Sequence, residues 1–191
     1  MRIVSGRVLL RLALLAAVFA VAGCTAKPAV DHRFVQAFSE PYRLDAGDRL
    51  RVIVFGQENL TNSYTVDDSG AMAMPLVGSV RARGRTAKQI EGEITSRLAA
   101  RYLRDPNVSV EVERYRPFFV LGEVNEAGQF AYVSNLTVET AVAVAGGFSP
   151  RAKKDFVILT RNIDGVLMSE FVPLNFPILP GDTVEVKERW F

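Results

Sequence analysis

Apolar and polar residues alternate from Arg49 to Val52, ahead of an apolar run to Phe55, and alternate again at Val108, Val110 and Val112, the period of strands with one buried face. Between them the period changes. Ile90, Ile94 and Leu98 recur every four residues within 86–102, which predicts a helix with one apolar stripe. Thr86 and Gln89 have the spacing of a capping box, in which each side chain satisfies the other residue's free backbone N–H. Short strands are predicted at 62–66, 71–77 and 79–83, turned by Asp67-Asp68-Ser69-Gly70 and broken at Pro75 and Gly78. Asp105-Pro106-Asn107 ends the helical region. Pro117 marks a boundary, after which the pattern starts afresh. A strand at 118–124, a turn at 125–128 and a strand at 129–133 precede a short helix from Thr137 through Ala145, with Glu139 favourable near its start. Gly146-Gly147 and Pro150 stop that helix. Strands at 156–160 and 166–172 form a hairpin around Asn162-Ile163-Asp164-Gly165, and 183–187 is the last strand. The order is β-rich with one helix in each half, which predicts an α+β chain of two small domains.

A nine-residue module occurs once near each end. The first copy is Leu44-Asp45-Ala46-Gly47-Asp48-Arg49-Leu50-Arg51-Val52; the second is Ile178-Leu179-Pro180-Gly181-Asp182-Thr183-Val184-Glu185-Val186. In each, Gly47 or Gly181 supplies a turn position open to positive φ, and Asp48 or Asp182 accepts from nearby backbone N–H groups. The alternation that follows is a strand. These are structural turns, and small β-rich modules of this kind assemble and bind more often than they catalyse.

The first 23 residues read as a targeting segment. Arg2, Arg7 and Arg11 make a basic start, and residues 12–22 are apolar but short for a bilayer span. Val21-Ala22-Gly23-Cys24 matches a lipoprotein box, with lipid attachment at Cys24, the only cysteine; the alternative is an ordinary signal peptide. Thr25 after Cys24 points to sorting to the outer membrane. Residues 24–41, with Pro28 and Pro41, read as a tether. Removing the three leader arginines from 23 Lys and Arg leaves 20 basic against 21 acidic residues, a net charge of −1, so the sequence pI near 8.8 does not argue for nucleic acid.

Residues 42–115 resemble the N-terminal domain of bacterial polysaccharide biosynthesis/export proteins. The resemblance rests on Tyr42-Arg43-Leu44-Asp45-Ala46-Gly47-Asp48-Arg49-Leu50, Val66-Asp67-Asp68-Ser69-Gly70, Pro75-Leu76-Val77-Gly78 and Asp105-Pro106-Asn107-Val108-Ser109-Val110. Residues 117–191 resemble one soluble-ligand-binding β-grasp (SLBB) domain through Val120-Leu121-Gly122-Glu123-Val124, Gly128-Gln129-Phe130, Ala145-Gly146-Gly147 and Leu179-Pro180-Gly181-Asp182. The resemblance implies a polysaccharide-export domain of mixed β structure with one helix, followed by the β-grasp domain. It further implies a homo-oligomeric ring at the outer membrane, facing the periplasm, which passes capsular or extracellular polysaccharide without altering it. An inner-membrane polysaccharide co-polymerase or tyrosine kinase is the implied partner. Long members add a further β-grasp domain and a C-terminal amphipathic helix that crosses the outer membrane. This sequence reaches Trp190-Phe191 directly after its last strand, so the pore is expected from a separate partner, or the lipid only holds a periplasmic ring at the membrane.

Candidate chemistry is sparse. Asp45 with Asp48 and Asp67 with Asp68 are paired carboxylates of the kind a glycosidase needs, but they lie in turn sequences, where satisfying backbone is the simpler role. His32 is the only histidine and falls in the expected tether, which leaves no metal cluster and no Ser-His or Cys-His arrangement. No catalysis, cofactor or metal is expected. Arg81, Arg83 and Arg85, followed by Lys88, form either a solvated face or a basic surface that meets an acidic polymer or a neighbouring subunit. Ala145-Gly146-Gly147-Phe148 is a helix stop or a ligand-contacting loop. The two terminal aromatics pack on their own subunit, or meet a partner or the membrane interface. A periplasmic module binding a soluble ligand or an oligosaccharide is the alternative function, although no cluster of aromatics forms a sugar platform.

Overall fold

The computed structural model describes residues 30–190; the leader and Cys24 lie outside them. The chain enters through helix α1 (His32–Ser39), capped by the Asp31 side chain, which accepts from the Arg33 N–H at 2.8 Å. The first core then forms around β1 (Arg49–Val54), which pairs antiparallel with β2 (Asn62–Thr65) on one side and β5 (Val108–Arg114) on the other. Leu50 faces Tyr64 across one seam and Val52 faces Val110 across the other. A separate hairpin joins β3 (Ala71–Met74) to β4 (Gly78–Arg81). Helix α2 (Ala87–Arg101) begins with the predicted capping box and buries Ile90, Ile94 and Leu98 completely against this core. The expected strand over 71–77 stops at Met74, because Leu76 turns the chain with φ of +65°.

The second core lies on a five-stranded sheet in the order β7-β6-β10-β8-β9. Its strands are β6 (Phe118–Gly122), β7 (Gly128–Phe130), β8 (Phe156–Ile163), β9 (Val166–Pro173) and β10 (Thr183–Val186). The last strand, β10, runs parallel to β6 at the centre of the sheet, with an antiparallel hairpin on either flank. Helix α3 (Val138–Val144) buries Val138, Ala141 and Val142 in the same core. A helix held against a central parallel pair is the β-grasp arrangement, and the chain is α+β. The hairpin β8–β9 is longer than its sequence signal. Asp164 and Gly165 both take positive φ, so a two-residue loop closes it and Asn162 stays in the ladder opposite Leu167.

The tether expected over 24–41 is corrected from residue 31 onward. Residues 32–39 are helical, and Phe34 is fully buried in the second core. Two prolines read as linker punctuation, while Arg161, which donates to the Phe34 carbonyl, lies more than a hundred residues away in sequence. Among the described residues no helix is long and apolar enough to cross a membrane.

Candidate functional site

The two Gly-Asp modules fold into matching turns. The Asp48 N–H donates to Asp45 O at 3.2 Å and the Asp182 N–H to Leu179 O at 3.1 Å. Gly47 and Gly181 sit at φ of +91° and +87°, which an L side chain rarely adopts. Each aspartate is buried and turns its carboxylate back into its own loop: Asp48 Oδ2 accepts the Asp45 N–H at 2.9 Å, and Asp182 Oδ2 accepts the Leu179 N–H at 2.7 Å.

Each carboxylate then takes an arginine. Arg161 donates from Nε and Nη2 to Asp182 at 3.0 and 2.7 Å, and from Nη1 to Phe34 O at 3.0 Å. Its guanidinium also lies 5.3 Å from the Phe34 ring and 4.8 Å from Phe38, so one buried cation fastens both the second turn and α1. Arg116 serves the first turn. Its backbone N–H donates to Asp48 Oδ1 at 2.8 Å, and its Nη1 donates to the Tyr42 hydroxyl at 2.8 Å. The Tyr42 hydroxyl donates in turn to Asp48 at 2.7 Å. Burial pushes the Tyr42 phenol well above its ordinary pKa, against the opposing Arg116 charge, so it stays a donor. Burial likewise raises Asp182, while the Arg161 hydrogen bonds and charge and the Leu179 N–H pull it back.

Arg116 also joins the two modules. A Cβ on Gly47 would lie 3.5 Å from Arg116 Cβ, and one on Gly181 only 2.6 Å from Arg116 Nε, so both glycines border the same side chain. The Gly181 N–H donates to Pro117 O at 3.0 Å. Beside this contact Tyr42, Tyr115 and Tyr132 stack edge to face at 5.0 and 5.5 Å. The arrangement is a polar joint between two cores. Its carboxylates are consumed by internal donors, leaving Asp48 and Asp182 no face for a substrate. Asp45 is engaged by Arg83 at 2.7 Å, and Asp67 accepts from Ser69 and the Ala71 N–H.

The predicted basic run is brought largely to partners. Arg83 reaches Asp45 and, at 2.8 Å, Asp68 O; Arg85 pairs with Glu93 and Lys88 with Glu91. Only Arg81 of the four has no acidic partner among the described residues. Gly146-Gly147 ends α3, with the Gly147 N–H donating to Val142 O, and His32 opens α1 away from any group of metal ligands among the described residues. Trp190 is 87% exposed, which excludes burial on its own subunit. Sequence reasoning missed Arg116, Arg161 and Phe34. Arg161 carried a signal: it shares the inward face of β8 with Val157 and Leu159, where an arginine demands a buried acid.

Residues 36–113 match the family described as "Polysaccharide biosynthesis/export protein", a span that contains the first Gly-Asp turn and the whole first core up to β5. The chain belongs to that family. It is 36% identical to "Exopolysaccharide production protein ExoF" of Rhizobium meliloti (strain 1021) over 149 residues, 72% of this chain and 33% of that protein. It is 30% identical over 197 residues to "EPS I polysaccharide export outer membrane protein EpsA" of Ralstonia solanacearum, covering 84% and 51%. "Polysialic acid transport protein KpsD" of Escherichia coli is 27% identical over 115 residues, 59% and 21%. The chain thus spans between a fifth and about half of the length of these relatives.

Proposed function

We propose that this family member is a non-enzymatic subunit of an oligomeric conduit that exports capsular or extracellular polysaccharide. Cys24 carries the lipid that holds it at the outer membrane, facing the periplasm. The observation that carries the reading is the family match over 36–113, together with relatives named for exopolysaccharide production and export. Residues 117–191 act as the SLBB domain, with the inner-membrane co-polymerase or tyrosine kinase as partner. The proposed mechanism is passive: a hydrated polymer passes a wide polar cavity that guides it without tight binding, since tight binding slows release. A stiff wall suits this task, and the Arg116 joint supports one by fixing two cores to each other. Assembly is supported by β9, an eight-residue edge strand that exposes Val166, Leu167 and Phe171. A closed ring needs head-to-tail surfaces of this unpaired kind.

Deleting the gene tests the reading. Extracellular polysaccharide is expected to disappear while polymer accumulates inside the cell, and Cys24→Ser is expected to restore export poorly because the subunit is no longer held at the membrane. Unchanged export from the deletion strain would refute the role. Native mass spectrometry of the lipidated protein in mild detergent tests the ring: a discrete oligomer is expected, and a strict monomer with the inner-membrane partner present would refute it.

A further inference from the structure

A second feature lies away from the joint. The segment after α3 and the end of the chain meet at an isolated antiparallel bridge between Ala152 and Glu188. The Lys153 N–H donates to Lys187 O at 2.8 Å and the Arg189 N–H to Arg151 O at 2.8 Å, and Ala152 is buried beneath them. This backbone frame sets Lys153, Lys154, Asp155, Arg189 and Trp190 around a cleft of about 500 Å³. The neighbouring acids are already used, because Arg151 pairs with Glu123 at 3.1 Å and with Glu188 at 3.3 Å. Lys153, Lys154 and Arg189 form no ion pair among the described residues, so three cations and one acid line the cleft. Lys153 Nζ lies 4.1 Å from the centre of the Phe156 ring, which holds that ammonium in place. Beside the cations stands the indole of Trp190, almost fully exposed and the only tryptophan in the chain.

We propose that this cleft binds a carboxylate-bearing sugar unit of an acidic polysaccharide. The chemistry of each lining group fits one part of such a unit. The C–H face of a pyranose ring is apolar and packs on an indole, whose N–H donates to a ring hydroxyl. Lys154 and Arg189 meet the carboxylate, and Asp155 accepts from a sugar hydroxyl. A volume of about 500 Å³ has the size of a small-ligand site, large enough for one or two sugar residues. Asp155 among the three cations accepts from a sugar hydroxyl but repels a continuous anionic lipid surface, which favours a sugar acid over the membrane. The contact is open and single, so each encounter is weak and reversible, as guidance along a conduit requires. The assignment rests on the export reading and gives it a ligand class.

The lone tryptophan makes the test direct. Full-length protein in nanodiscs of zwitterionic lipid is titrated with a tetrasaccharide of glucuronic acid while Trp190 emission is followed. A saturable change is expected. Raising the salt from low to high is expected to weaken it about tenfold, because the cations are exposed and screened. The neutral glucose tetrasaccharide should give no change. Lys154→Gln with Arg189→Gln should lower the affinity about tenfold with an unchanged unfolding midpoint, since two charge-assisted contacts are lost. Trp190→Ala should weaken binding measured by calorimetry. No response to the acidic sugar, an equal response to the neutral one, or a response only to anionic lipid discs without sugar would each overturn the site, the last assigning it to the membrane. If the sugar fails to bind while the intact gene still restores export in the deletion strain, the cleft assignment falls alone. If the gene is also dispensable for export, the export reading falls with it.

Discussion

Arg161 is a guanidinium inside a hydrophobic sheet, and its surroundings account for all of it. It gives two hydrogen bonds to Asp182 at 3.3 Å or less from Nε and one at 2.7 Å from Nη2, with others to Phe34 O and Pro177 O. A buried charge whose partner is removed costs far more than the pair contributes together. Arg161→Met is therefore expected to destabilise the protein by about 3–5 kcal/mol in chemical denaturation, because Asp182 stays buried and Phe34 O loses its donor. Arg161→Met with Asp182→Leu should recover much of that loss. A double variant no more stable than the single one would show that the turn needs the carboxylate for its Leu179 N–H more than the pair needs mutual neutralisation. At this scale the sequence was half legible. The repeated Gly-Asp pattern announced the turns and the backbone N–H groups their aspartates accept from, because Gly and Asp act through their own local backbone; the burial of both carboxylates was not announced. The arginines that complete them act across the fold and leave no local periodicity. Arg161 was readable only as a charge on the buried face of an otherwise apolar strand.

Among the elements, α2 and α1 represent opposite cases. Helix α2 has fifteen residues, a capping box and a four-residue apolar repeat, so local signals suffice to define it. Helix α1 has eight residues, too few to be stable alone in water. It forms because Phe34 inserts into the β-grasp core, where Arg161 takes its carbonyl, and because Phe38 packs edge to face on Phe176 at 5.8 Å. Its order is therefore a tertiary effect, which explains why a segment flanked by prolines reads as a linker. Phe34→Ala should cost about 3–5 kcal/mol, as for other buried phenylalanines, and should raise hydrogen exchange in β8 and β10 before it affects β1. An effect limited to residues 30–40 would mean that the helix only decorates the surface. A docked α1 also fixes where residue 30 leaves the folded body, close to the second core.

For the molecule as a whole, the carboxylates set the response to acid. Asp31 is held down at about 2 by the Arg33 side chain, and Asp67, Glu91 and Glu113 are lowered by hydrogen bonds from Ser69, Lys88 and Ser63. A group with a lowered folded pKa adds stability above its unfolded value that is lost as pH falls through the folded one. Asp182, raised by burial, works the other way: its contribution is present at low pH and declines as pH rises through its folded value. The lowered groups are more numerous, so the unfolding midpoint should drop between about pH 4.5 and pH 2, and somewhat less steeply at high salt, which screens the Asp31–Arg33 and Glu91–Lys88 ion pairs but not the neutral Ser69 and Ser63 donors. A flat midpoint across that range would show that they contribute nothing. Whether the two cores melt together depends on Arg116. Its side chain bridges the Tyr42 hydroxyl, the Asp48 carboxylate at 3.4 Å and the wall of the Gly181 turn, while its backbone N–H donates to Asp48 as well. Arg116→Ala therefore removes the link and the cation beside buried Asp48, and leaves the first turn its Tyr42 and backbone donors. Calorimetry of the parent chain should show one transition, since the joint makes each core a condition for the other. The variant should show two, with the first core melting below its midpoint in the parent, because buried Asp48 loses its cation. A single undiminished transition in the variant would move the coupling to the Tyr42-Tyr115-Tyr132 stack, which crosses the same boundary without charge.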